Sequence, residues 1–273
     1  MSARWTSSPA FVVARDGAWR AARRLAEEVP VALSYDGTTQ AVMLASPFDL
    51  EDFALGFSLG EGIVTHPSEI AGIERVDHAA GIEMRMWLAP GRGVRLIERR
   101  RTMAGPVGCG LCGLDSLDAA QRALPPLPPG GLRLDPAMLD RAFRDLSERQ
   151  SLHEATRCAH AAGFWTPAEG LVAAREDVGR HNALDKLVGA LARRGRDARG
   201  GAIVMTSRVS IELVEKAVIA RAPLLAAISA PTSRAVQAAE AAGLTLVARA
   251  RGDAFELYTH PERIALTEAP HET

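Results

Sequence analysis

Short apolar runs of strand length dominate the first third of the chain, and helical spacing becomes common only later. Residues 29–35 and 40–45 are two strand-like runs around Asp36-Gly37-Thr38-Thr39. That arrangement predicts a hairpin, because an Asp-Gly pair readily adopts the positive φ angles of a tight turn. Ser46-Pro47 then opens a helix, with Asp49, Glu51 and Asp52 at its electropositive end. Leu50, Phe53, Ala54 and Phe57 share one face of it, and Gly60 and Gly62 stop it. Residues 73–97 read as two or three short strands that end among arginines. Residues 1–28 are arginine-rich and read as an irregular start.

The run A-L-P-P-L-P-P-G-G at 123–131 predicts a stiff connector and the best internal boundary. A helix over residues 136–149 and a second hairpin-like pair, Phe164-Trp165 and 171–174, follow it. Strands at 202–205, 224–228 and 244–248 then alternate with helices at 209–219 and 232–242. Such alternation predicts parallel strands joined by helical crossovers, with ligands at the carboxyl ends of the strands. The expected organisation is an irregular segment 1–28, an N-terminal β-rich α+β region 29–122, the connector 123–131 and a C-terminal α/β domain 132–273.

Composition narrows the function classes. The 273 residues are 47% hydrophobic and 24% charged, ordinary for a globular chain. A formal net charge of −1 provides no basic field for nucleic acid, so no nucleic-acid partner is expected. No apolar run reaches the roughly 18 residues of a membrane span, so no membrane partner is expected. The start, M-S-A-R-W-T-S-S-P, lacks the apolar stretch of a signal peptide, and three cysteines fit a reducing compartment. A cytoplasmic protein is therefore expected.

Candidate chemistry concentrates in four stretches. Cys109 and Cys112 are spaced C-x-x-C among glycines at 105, 108, 110 and 113, which predicts an exposed, mobile loop carrying two thiols. The spacing fits half of a zinc site, with Cys158 and His160 as further ligands. It also fits a redox pair, although Pro106 and the glycines are unlike the helix start that such a pair occupies. The second stretch, Glu176 to Lys186, sets His181 and Asn182 at a helix start, with His181–Asp185 and Asn182–Lys186 as i,i+4 pairs on its polar face. An exposed helix decorated with charge pairs is the ordinary alternative. The third comprises two hydroxyl-rich turns, Thr206-Ser207-Arg208-Val209-Ser210 and Ser229-Ala230-Pro231-Thr232-Ser233, each between a strand and a helix. They suit phosphate, and helix capping alone also explains them. The fourth, Phe255-Glu256-Leu257-Tyr258-Thr259-His260, offers two rings that stack on a base or pack in a core.

Arg101-Thr102-Met103-Ala104-Gly105 followed by Gly108-Cys109-Gly110-Leu111-Cys112-Gly113 resembles the cysteine loop of the FdhD family. The runs R-E-D-V-G-R-H-N-A-L-D-K, S-R-V-S-I-E-L-V, I-S-A-P-T-S, F-E-L-Y-T-H and P-F-D-L-E-D-F-A-L-G-F-S-L-G-E-G-I are similar to family stretches in the same order, over about residues 30–262. One departure is Thr156-Arg157-Cys158-Ala159, where a glycine-rich approach to His160 is expected. The resemblance implies a C-terminal α/β domain of cytidine deaminase-like fold, although the deaminase signature H-x-E with P-C-x-x-C is missing. It implies a sulfurtransferase that accepts sulfur from a cysteine desulfurase as a persulfide on Cys109, with Cys112 as an accessory thiol. It also implies transfer to the molybdenum bis(molybdopterin guanine dinucleotide) cofactor, before that cofactor enters the formate dehydrogenase catalytic subunit. Cofactor contacts are expected at residues 255–260 and at Ser207, Arg208, Ser229, Thr232, Ser233, His181 and Asn182, with no metal ligands of the protein's own. A homodimer is the family expectation. A cofactor-holding chaperone that carries no sulfur, and a zinc-stabilised domain using Cys109, Cys112, Cys158 and His160, are the alternatives.

Overall fold

A computed structural model describes residues 4–91, 124–251 and 254–266. The chain divides into two compact units. The first takes residues 1–122, 150–161 and 175–193, and the second takes 123–149, 162–174 and 194–273. One change of unit falls between residues 122 and 123, and residues 150–161 and 175–193 return to the first unit. A linear reading misses this return, because contacts far apart in sequence create it.

In the first unit, β1 (Trp5–Ala14) and β2 (Gly17–Ala26) form a two-stranded antiparallel ribbon. This replaces the irregular start expected from the sequence. Thr6-Ser7-Ser8-Pro9 interrupts the apolar positions of β1, and Arg20, Arg23 and Arg24 interrupt those of β2, which masks the period-two pattern. β3 (Val29–Tyr35) and β4 (Thr38–Ala45) make the hairpin that Asp36-Gly37 predicts, with both turn residues at positive φ. They join β5 (Ile70–His78) and β6 (Gly81–Leu88) in a sheet of order β4-β3-β6-β5, in which β3 and β6 run parallel. Val31, Leu33 and Tyr35 alternate onto the buried face, as a strand with period two requires.

Helix α1 (Leu50–Gly60) buries Phe53, Ala54 and Phe57 in the same core cluster as Met84 and Met86. Its opposite side meets α4 (Arg180–Arg193) through two glycines. A Cβ on Gly56 would fall on the Asp185 carbonyl, and one on Gly189 on the Asp52 carbonyl. The two helices thus cross backbone to backbone, where glycine is the residue that fits.

The second unit contains α2 (Pro136–Ser147) and a sheet of order β12-β11-β10-β9-β7-β8. Its strands are β7 (His160–Thr166), β8 (Gly170–Asp177), β9 (Ala202–Met205), β10 (Leu224–Ala227), β11 (Thr245–Arg251) and β12 (Ala254–Thr259). β7 enters this unit at Ala162 and β8 belongs to it up to Ala174. β9, β10 and β11 are parallel, as their alternation with helices predicts, and β12 and β7 flank them antiparallel. All eight residues of β9 and β10 are fully buried, which explains why they read as continuous apolar runs. The crossovers are α5 (Ile211–Ile219) and α6 (Ser233–Ala242).

The proline-rich connector is clamped within its unit and is no free spacer. Leu127 N–H donates to Ala242 O at 2.8 Å. The buried Arg263 guanidinium donates to Pro128 O at 2.9 Å, Gly243 O at 2.9 Å and Thr245 Oγ1 at 3.1 Å. Burial lowers the Arg263 pKa, and Glu262 opposes that shift.

The glycine contact sets a prediction. Gly189→Ala should destabilise the protein by about 3 kcal/mol, the upper end of overpacking costs, because a carbonyl and not a flexible side chain is in the way. Urea unfolding of this variant against wild type measures it. An unchanged midpoint would contradict the helix crossing described.

Candidate functional site

The turn after β9 and the turn after β10 lie side by side at the carboxyl edge of the parallel strands. Backbone bonds fix them to one another. Val209 N–H donates to Ala230 O at 3.2 Å and Thr232 N–H to Val209 O at 2.9 Å, so Val209 and Pro231 form a short parallel bridge. Ile228 N–H donates to Met205 O at 3.0 Å, and Arg249 N–H to Ser229 O at 3.2 Å. Ser207, Arg208, Ser229, Thr232 and Ser233 are therefore brought onto one edge. Ser207 is buried, and its hydroxyl donates to Arg208 O at 2.9 Å. Thr232 is consumed as a cap, accepting from Ala235 N–H at 3.2 Å. Arg208 and Ser233 are exposed. Helices α5 and α6 both begin at this edge, and their first N–H groups favour an anion there.

β11 extends this edge toward the predicted base-binding stretch. Arg249 holds a left-handed backbone, φ 51°, within the register shift between the Ala248 and Arg251 pairings of β11 with β12. Its guanidinium reaches Glu256 at 3.3 Å, and the Tyr258 hydroxyl donates to the other oxygen of the same carboxylate. That bond raises the Tyr258 pKa, with burial and the Glu256 charge adding to it, because ionisation would lose the bond and leave like charges together. Phe255, Leu257 and Tyr258 are half-buried and Glu256 is exposed. A bulge between the Leu246 and Val247 pairings places Leu257 and Thr259 opposite adjacent residues. Thr259 is structural: it is buried, donates to Leu244 O at 2.6 Å and accepts from Leu246 N–H at 3.0 Å. His260 is also held, with Nε2 2.9 Å from Glu240 O. Arg249 stands where the alternation of strands and helices puts a carboxyl strand end, and the strand register adds its pairing with Glu256.

His181 and Asn182 belong to the first unit, apart from this group in the domain division. His181 is half-buried. The polar face expected of α4 is in fact a buried seam, since Asn182, Asp185 and Lys186 are each at most 3% exposed. Lys186 pairs with Asp177 at 2.6 Å, both fully buried. Asp177 also accepts from Ser46 N–H at 3.0 Å, Gly179 N–H at 2.8 Å and Asn182 Nδ2 at 3.0 Å. Lys186 also donates to Ser46 O at 3.0 Å and lies 4.4 Å from the Phe48 ring centre. Burial lowers the Lys186 pKa, and Asp177 opposes that shift. Asn182 donates to Leu44 O at 2.8 Å, so its amide is committed to structure.

Cys109 and Cys112 lie outside the described residues. Cys158 is an exposed free thiol two residues from the half-buried His160. Among the described residues no group of three or more His, Cys, Asp or Glu side chains is arranged to hold a metal ion.

The sequence profile of the FdhD/NarQ family matches residues 26–265. The chain belongs to that family. Its relatives include a sulfur carrier protein FdhD of Brucella abortus, 56% identical over 248 residues that cover 91% of this chain and 92% of the relative. The sulfur carrier protein FdhD of Agrobacterium fabrum is 50% identical over 244 residues, 89% of this chain and 90% of the relative. A crystal structure from Desulfotalea psychrophila, described as a formate dehydrogenase accessory protein, matches with a TM-score of 0.75 at 25% identity. That match covers 96% of this chain and all of the other. Within the family segment, the described chain presents one polar edge in the second unit and one buried ionic seam in the first. The β1–β2 ribbon lies ahead of the segment, meeting it only at Ala26.

Two predictions follow from these contacts. Lys186→Met and Asp177→Asn should each cost about 3–5 kcal/mol, and the double variant less than their sum, because each single change strands a buried partner. Urea titration of all three variants tests the coupling, and strict additivity would refute it. Tyr258 should titrate above the ordinary phenol range in an ultraviolet pH titration. Since the folded-state pKa is raised, the Glu256 bond adds stability below the unfolded-state value of about 10, and that stability is lost as pH climbs through the folded-state value. Glu256→Gln should bring the Tyr258 transition down in pH, and an unmoved transition would contradict the bond.

Proposed function

We propose that this protein is a sulfur carrier acting for formate dehydrogenase, a sulfurtransferase that holds sulfur as a persulfide on Cys109. The observation that carries the reading is the identity of 56% over 91% of the chain to a sulfur carrier protein FdhD, with Cys109 and Cys112 inside the family segment 26–265. A cysteine desulfurase is the donor. The Cys109 thiolate attacks the terminal sulfur of the donor's persulfide, the donor S–S bond breaks, and the donor thiolate leaves. One S–S bond forms as one breaks, so no oxidant is consumed. The acceptor is the molybdenum bis(molybdopterin guanine dinucleotide) cofactor, a substrate here, whose metal is a soft centre suited to sulfur. The cofactor is then inserted into the formate dehydrogenase catalytic subunit.

In this reading the edge built by Ser207, Arg208, Ser229 and Ser233 receives the phosphates, and Phe255 and Tyr258 flank the guanine. Two helix N-termini, the exposed Arg208 and the backbone bonds between the turns support that assignment. Glu256 and Arg249 supply polar groups beside the rings. The second unit is read as deaminase-like, which its parallel β9-β10-β11 core and alternating helices support. The protein acts as a cytoplasmic homodimer.

Incubation with a cysteine desulfurase and cysteine, followed by intact mass and peptide mapping, tests the carrier role. One added, reductant-labile sulfur is expected on the Cys109 peptide. Cys109→Ala should reduce support of formate dehydrogenase to background while guanine nucleotide binding persists. A fully active Cys109→Ala variant, or no added sulfur on a protein that still binds the nucleotide, would replace this reading with that of a cofactor-holding chaperone.

A further inference from the structure

The β1–β2 ribbon presents a solvent-facing side that the first unit leaves uncovered. Trp5, Ser7, Pro9, Phe11 and Val13 alternate onto one face of β1, and all five are exposed. Phe11 is 67% and Val13 78% exposed, far beyond what isolated surface apolar residues need. The register sets Arg20 opposite Phe11 and Arg24 opposite Ser7, diagonal to Trp5 on the same face. Both guanidinium groups lie over those rings, at 5.3 Å and 4.4 Å from the ring centres. A stacked guanidinium keeps its N–H edges free for carboxylates. The ribbon's root is fixed: Arg4 donates to Ser151 Oγ at 3.3 Å and stacks 4.5 Å from the Phe48 ring centre.

We propose that this face is a docking arm for an acidic partner protein whose carboxylates surround an apolar patch. Charge selects that occupant. Residues 5–26 hold four arginines against the single acid Asp16, a balance of +3 in a chain whose total is −1. Two copies laid face to face would oppose Arg20 and Arg24 with their own images. Size agrees: ten paired residues per strand span about 33 Å, and a two-stranded face of roughly 300 Å² is well under the roughly 800 Å² per partner of a stable interface. The face therefore supplements a contact made elsewhere on the molecule. A balance of +3 on one short ribbon is also modest for counterion-driven binding to nucleic acid.

The choice of probes rests on the sulfur-carrier reading. Purified cysteine desulfurase and the formate dehydrogenase catalytic subunit are each titrated calorimetrically with the full chain, with Phe11→Ser/Val13→Ser and with Arg20→Glu/Arg24→Glu. Both variants are expected to weaken binding to at least one probe by about tenfold or more. The charge variant should also flatten the salt dependence of that binding. The changed side chains are exposed, and circular dichroism checks each fold, so the second variant keeps the test open if the first misfolds. Unchanged affinity in both, or no binding of either probe by the wild type, overturns the proposal. Halving of the solution mass in the variants would assign the face to a second copy. Loss of binding to phosphatidylglycerol vesicles with protein binding intact would assign it to a membrane, and either result overturns the proposal. Sulfur loading of Cys109 in the same wild-type and variant samples is read separately: if the wild type takes up none, the carrier reading fails whatever the ribbon binds.

Discussion

An ammonium and a carboxylate sealed from water must be matched on every side, and Lys186 and Asp177 meet that demand with groups drawn from three separate stretches of chain. Asp177 ends β8, Lys186 stands on α4, and Ser46 precedes α1, giving its N–H to one partner and taking a bond from the other with its carbonyl. Removing any one of them leaves a buried charge short of a partner. The pair therefore fixes where α4 begins relative to α1. The Gly56 and Gly189 contact can be tight only because that placement is already set. Phe48, stacked by Lys186 and by Arg4, carries the same constraint to the root of the β1–β2 ribbon.

In the second unit the constraint is carried by the backbone. Parallel β9, β10 and β11 release their chains at one edge, and the two turns there bond to each other through main-chain groups. Main-chain bonding leaves the side chains of Arg208 and Ser233 exposed at that edge. Arg249 N–H, bound to Ser229 O, draws the β11–β12 pair into the same arrangement. A polar edge assembled this way is preorganised without spending the groups that a ligand would meet.

The strands and helices with strong periods were legible in the sequence because each buries one face or all of itself. The α1 helix, the β3–β4 hairpin and the alternating strands of the second unit all belong to that class. The ribbon at residues 5–26 was not legible, since neither of its faces is buried enough to impose a clean alternation. The polar residues of α4 misled for the opposite reason. A helix with Asn182, Asp185 and Lys186 along one side reads as solvated, and only long-range partners such as Leu44 O and Asp177 reveal that the side is sealed.

The run R-E-D-V-G-R-H-N, the most distinctive stretch of the sequence, shows how a specific motif arises without chemistry at every position. Glu176 accepts from Leu152 and His153 N–H groups at 2.8 Å each and so caps α3 (Ser151–Thr156). Gly179 leaves no room for a Cβ beside the Asn182 amide, which lies 2.9 Å from where it would stand. Asp177 and Asn182 are consumed by the buried seam. Arg175 donates to Asp52 at 2.6 and 2.9 Å, so five of the eight positions are dictated by packing and polar satisfaction in the first unit. Arg180 and His181 are half-buried, and the Arg180 Nε is sealed without a hydrogen-bond partner. The case for ligand contact in this stretch therefore narrows to Arg180 and His181, held at the start of α4 by the residues around them.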